Sequence, residues 1–139
     1  MINLEFLIVT YFVGLFVDWI FQWEWQASNK SNWDIKNDKE VFSKGFVALI
    51  SHSGIYAVIT TVIVTLLIGL SKTESDIMLA VLYVTHAVID SRIPVKKIMK
   101  FKGMSDDQIN DYVNYGFMHI GIDHRLHELV ILILSIFIK

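Results

Sequence analysis

The sequence predicts an all-α polytopic membrane protein: a four-helix transmembrane bundle, with a short cytoplasmic interfacial helix between the third and fourth spans. Three observations carry that expectation. Hydrophobic residues are 54% of the chain and charged ones only 19%, against about 25% charged in an average globular domain. No Asp, Glu, Lys or Arg occurs from Gly45 to Ser71, a stretch longer than the roughly 20 residues an α-helix needs to cross hydrocarbon. The basic residues, finally, gather in two of the polar connections and avoid the rest. A bundle of this kind uses nearly the whole length, so residues 1–139 are read as one membrane-embedded domain.

The first span is expected from about Leu4 to Trp25, interrupted by Glu5, Asp18 and Glu24. The first lysine is Lys30 and no small-x-small site follows the first apolar run, so this run lacks the marks of a cleaved signal and is expected to be kept. The second span, about Val41 to Leu70, is the clearest. The third, about Ser75 to Arg92, ends before Pro94, because the residue ahead of a proline disfavours the α region; it suits a thin or compressed bilayer. The fourth, about Tyr115 to Ile138, carries Asp123, His124, Arg125, His127 and Glu128 in its first half and an apolar run in its second.

The connections supply orientation. Lys30, Lys36, Lys39 and Lys44 follow the first span, and Arg92, Lys96, Lys97, Lys100 and Lys102 follow the third; only Lys72 and Lys139 fall on the other side. The positive-inside bias therefore places both long loops in the cytoplasm and both termini outside, in an inner-membrane setting of bacterial type. Trp19, Trp23, Trp25 and Trp33 cluster at the cytoplasmic end of the first span, where an aromatic belt belongs. In the later loop Ile93, Val95, Ile98, Met99 and Phe101 alternate with lysines, a pattern that fits either a stretch on an anionic membrane surface or a solvated basic loop. Ser105 and Gln108 have the form of a capping box, with Asp106 and Asp107 in the first turn. A helix is expected to start there and run on into the fourth span.

Bulk properties exclude other classes. Without cysteine there is no disulfide, thiol nucleophile or Cys-based zinc site. A net charge of −2 gives no reason to expect nucleic acid.

Ionisable residues inside a span are costly, about 2.5–3.5 kcal/mol for Asp at a helix centre on insertion scales, and so point to function. Asp18 and Gln22, His86 and Asp90, and Asp123 and His127 are each four apart, a spacing that puts both members on one helical face. His52 stands alone between Ser51 and Ser53. On the alternating topology all of these lie near the cytoplasmic ends of their spans, so one convergent site is expected just below that surface. Three imidazoles and three carboxylates there make Asp18, His52, His86, Asp90, Asp123 and His127 the expected ligands of one or two divalent ions, Zn²⁺, Mn²⁺ or Fe²⁺ rather than Mg²⁺. Helical bundles build di-metal sites from inward carboxylates and histidines in this manner. A metal-free polar network or proton relay is the alternative. His119 extends the Asp123 and His127 face, with a position above the site in water as its alternative. Arg125 is placed either to snorkel to headgroups or to bind an anion.

The order of these motifs, Asp18-x-x-x-Gln22, Lys30, His52, His86-x-x-x-Asp90 and Asp123-x-x-x-His127, resembles domain-of-unknown-function family 3307, small polytopic membrane proteins of bacteria and phages. The resemblance covers nearly the whole chain, with His124 where the family pattern has Gln. The layout is more loosely similar to the membrane-bound metal-dependent hydrolases.

Two functional readings follow. In one, the chain is a metal-dependent hydrolase acting on a phospholipid or other phosphoester, with Asp18 as ligand or general base and Lys30 and Arg125 holding the anionic headgroup or phosphate. In the other it is not an enzyme, and the site serves a structural or regulatory bundle or a metal or proton carrier. Transport is disfavoured by the absence of ionisable residues from Val58 to Leu70 and from Leu129 to Ile138.

Overall fold

A computed structural model describes residues 2–30, 32 and 38–138, with Tyr112 described by its backbone. Trp33, Lys36 and Lys139, assigned above to the aromatic belt and the charge bias, lie outside the described residues. The described residues form helices joined by short connections, with no strand among them: α1 (Leu4–Ile20), α2 (Glu24–Asn29), α3 (Lys39–Ile68), α4 (Lys72–Asp90), α5 (Ile93–Phe101), α6 (Asp106–Asn110) and α7 (Tyr112–Phe137).

The first helix is shorter than its apolar run. Asn3 caps α1 by accepting from the Phe6 N–H at 2.9 Å, and the helix ends at Ile20 rather than continuing to Trp25. The chain restarts as α2, where the Gln26 carboxamide accepts from the Trp23 N–H at 3.1 Å and donates to Ser51 Oγ on α3 at 3.1 Å. One buried glutamine thus fixes the start of α2 and fastens it to α3. Asp38 caps α3 through the Glu40 and Val41 N–H groups, and Gly69, at φ +71°, ends it in the left-handed region that glycine adopts without a Cβ penalty. Ser71 and Glu74 then form a capping box that opens α4.

Three details depart from the periodicity. Between α4 and α5 the axis bends by 56°: Arg92 takes φ 62° and Pro94 falls in the first turn of α5, where its missing N–H costs nothing. The proline therefore starts a helix as well as ending one. The apolar face of α5 does not simply lie outward, since Val95 and Met99 are fully buried and pack with Ile109 against Met118, Ile122 and Leu126. The capping box at Ser105 and Gln108 is present. Its helix does not run on into α7: Asp111, at φ −85° and ψ 84°, interrupts it and caps α7 by accepting from the Asn114 N–H.

Of the described helices, α3 alone is long and apolar enough to cross a membrane by itself; α4 meets the same measure when taken together with the bent α5. The main apolar core joins Phe6, Val17, Tyr56, Val64, Leu82 and Leu134 from α1, α3, α4 and α7. Outside it, Phe12, Phe16, Leu66, Leu67, Val84, Val88, Ile133 and Phe137 are all exposed. Between this core and the smaller cluster around Met99 runs a polar layer.

Candidate metal centre

Each of the four long helices contributes to that layer. Asp18 comes from the last turn of α1, His52 from α3, His86 and Asp90 from the last turns of α4, and His127 from α7. The His52, His86 and Asp90 side chains are fully or nearly fully buried, with Asp18 and His127 partly so. Their polar atoms converge closely. His52 Nε2 is 3.0 Å from Asp18 Oδ1 and 3.1 Å from His86 Nε2, and the third side of this triangle is 3.8 Å. A tetrahedral ion with ligands at about 2.0–2.1 Å spaces them about 3.3–3.4 Å apart, close to the mean of those three sides.

A second group, His86, Asp90 and His127, also meets metal-ligand spacing. It uses the same imidazole as the first. Together the two groups hold five of the six residues expected as ligands. One ligand atom of each group, Asp18 Oδ1 in the first and His127 Nε2 in the second, is buried without a well-formed hydrogen bond. Such groups are costly to bury unpaired.

Asp90 is the hub. Its Oδ2 lies 2.7 Å from Lys30 Nζ, 3.2 Å from His52 Nε2 and 3.4 Å from His86 Nε2, while Oδ1 is 3.6 Å from His127 Nε2. Lys30 is held there because it ends α2, which Gln26 pins to α3. Its ammonium is engaged by a protein carboxylate rather than displayed to a headgroup.

Other residues singled out in the sequence sit differently. Asp123 touches the layer only through His127, at 3.9 Å, and belongs to neither ligand group. Gln22 lies beyond the end of α1, so helical spacing does not pair it with Asp18. Arg125 is exposed and bonded to Glu128 on its own helix, and it belongs to neither ligand group. His119 is buried, not in water, and its Nε2–H donates to the Ile109 carbonyl at 2.8 Å, tying α7 to α6.

Tyr56 is the residue sequence reasoning missed. It is buried, one helical turn beyond His52, and its ring stacks on the His86 imidazole with centroids 3.9 Å apart and planes at 17°. A tyrosine in an apolar stretch reads as core; its spacing of four from His52 was the available signal. Beside it a cavity of about 20 Å³ is lined by Asp18, Tyr56, His86, His124, His127 and Glu128, with Tyr11 and Gly14 from α1. That volume is enough for one water molecule.

Comparison with family models, with curated proteins and with solved structures found no match for this chain.

Proposed function

We propose that this chain is a four-span membrane protein carrying one divalent metal ion and hydrolysing a phosphoester at the cytoplasmic face. The observation that carries the reading is the Asp18, His52 and His86 triangle, two of whose members wall a cavity of water size. Three protein ligands with an open fourth position are the arrangement of catalytic rather than structural zinc sites.

When bound, the ion would polarise a phosphoryl oxygen and lower the pKa of a water. The protein's own groups do the rest. With Asp18 in the ligand triangle, His124, His127 and Glu128 are the cavity-wall groups left to take that water's proton. Tyr56 fixes the plane of His86 by stacking, and Asp90, held by Lys30, closes the cluster on the α2 side. The membrane setting is supported by the absence of Asp, Glu, Lys and Arg from Gly45 to the end of α3 and by the exposed apolar side chains outside the core. The motif order resembling domain-of-unknown-function family 3307 supports the same four-span layout.

A metal-free reading has its own observation. The pair of half-buried Lys30 with buried Asp90 is the kind of clamp that fastens helices without a metal. Elemental analysis of gently purified wild type in detergent separates the two. One zinc, manganese or iron per chain, lost in His86→Ala and kept in Asp123→Ala, supports the metal centre. No ion in the wild type removes the hydrolase reading. With metal present, phosphate or headgroup release from a panel of phospholipids, abolished in Asp18→Asn, distinguishes an enzyme from a structural site.

A further inference from the structure

Asp90 already has a cation against it. Lys30 Nζ is 2.7 Å from its Oδ2, while on the other oxygen His127 Nε2 stands off at 3.6 Å. Asp123, one turn before His127 on α7, approaches the same imidazole nitrogen at 3.9 Å. Two carboxylates and one imidazole thus gather on one nitrogen, and none of the three residues belongs to the Asp18, His52 and His86 triangle. These separations exceed the spacing of a tetrahedral ion's ligands, about 3.3–3.4 Å, by little enough for side-chain adjustment to close. Two observations set the group apart from a simple acidic patch. His127 Nε2 is buried without a well-formed hydrogen bond although carboxylates flank it; carboxylate oxygens and a neutral ring nitrogen are all acceptors, an arrangement that a cation resolves. The second observation is Lys30 itself, a cation placed on Asp90 from sixty positions away.

The ammonium is held by a detachable element. Lys30 ends α2, a helix of six residues whose buried residue is Gln26, and so short a helix is not stable by itself. Its fastenings to the bundle are the Gln26 bond to Ser51 Oγ and the Lys30 bond to Asp90, while Trp23 and Trp25 beside them are exposed. An ammonium and a divalent ion exclude one another here on grounds of charge, because two cations on one buried carboxylate repel strongly where the dielectric is low. If the ammonium leaves, Asp90 becomes a buried carboxylate without its partner, a costly state that a new cation relieves.

We infer that Asp90, His127 and Asp123 form a second cation seat, filled by the Lys30 ammonium in this structure and taken by a divalent ion when α2 lifts away. The chain thereby sets its own metal count, with one ion while α2 is docked and two when it is withdrawn. For the first of those ions this rests on the proposed metal centre; the seat itself does not.

The test counts ions. Untagged wild type, Lys30→Met and Lys30→Arg are purified in detergent, equilibrated with excess Zn²⁺, freed of unbound ion by gel filtration and measured by elemental analysis. Lys30→Met should hold one ion per chain more than wild type, and Lys30→Arg, which keeps the charge, should match wild type. Adding His127→Ala or, independently, Asp123→Asn to Lys30→Met should remove the extra ion, whereas Asp123→Asn in the wild-type background should leave the count unchanged. Gln26→Leu loosens α2 and leaves every charge in the chain, so it too should raise the count above wild type. An unchanged count in both Lys30→Met and Gln26→Leu, or an extra ion indifferent to His127 and Asp123, overturns the inference. No ion in wild type and one in Lys30→Met would leave the second seat standing and remove the hydrolase; one ion in wild type and one in each variant would do the reverse.

Discussion

Gly14 offers the sharpest test of how the site is held. A Cβ built on it would lie 2.7 Å from Tyr56 Oη, 3.6 Å from Cζ and 3.8 Å from Cε2. Gly14→Ala therefore needs the hydroxyl to retreat by about 0.7 Å to reach ordinary contact, and Tyr56 is stacked on His86. Overpacking of this kind costs about 1–3 kcal/mol, against which alanine gains about 1 kcal/mol over glycine in a helix. The net effect on stability is then about 0–2 kcal/mol, but the ring cannot retreat without moving the imidazole. Gly14→Ala is expected to weaken Co²⁺ binding about tenfold, as 1.4 kcal/mol of ligand displacement would give, read by titrating the visible absorption of Co²⁺ in detergent. Tyr56→Phe removes the clashing oxygen and leaves 3.6 Å as the nearest approach, so Gly14→Ala combined with Tyr56→Phe should bind Co²⁺ as Tyr56→Phe alone does. If Gly14→Ala binds like wild type, or if the double variant is as weak as Gly14→Ala, the stacking does not position His86.

Further outcomes can be checked in the same preparations. Lys30→Met removes a positive charge beside Asp90 and should tighten Co²⁺ binding about tenfold; weaker binding would show that Lys30 instead holds Asp90 in place. His119→Ala deletes a buried hydrogen bond between α7 and α6, so it should cost about 1–3 kcal/mol in denaturant unfolding with metal content unchanged. Asp111 accepts from the Asn114 side chain and backbone, in that order of effect, and these bonds hold its carboxyl below the ordinary aspartate value. Its contribution is therefore complete above that ordinary value and lost as pH falls through the lowered one, so Asp111→Ala and wild type should differ in stability at neutral pH and converge in strong acid. A single cysteine at Asn29 should react with an impermeant maleimide from the cytoplasmic side only, and one at Thr73 from the opposite side only; the reverse pattern would invert the topology.

How much of this was legible beforehand depended on which force set each feature. Asp18, His52, His86, Asp90 and His127 were found because helical spacing and depth along the chain both follow from periodicity. Gln22 was paired with Asp18 on the same logic and failed, because hydropathy does not show that α1 stops at Ile20, where Gln26 starts a new helix using an atom of a distant one. The burial of Val95 and Met99 was unreadable for a different reason. An amphipathic helix on a lipid surface and one packed on a neighbour have the same pattern. Lys30 looked like a headgroup ligand because nothing local links it to Asp90, sixty positions later.

That separation matters for how the protein is made. Asp90 is the last residue of α4, and a helix C-terminus already carries partial negative charge, so an acid there needs a cation before it can be buried. Synthesis from the N-terminus delivers Lys30 sixty residues earlier. The ammonium is thus waiting on α2, docked to α3, when α4 emerges, and α4 seats against a partner already in position. A variant lacking Lys30 would meet its difficulty during assembly, when the Asp90 carboxylate has to be buried without its cation.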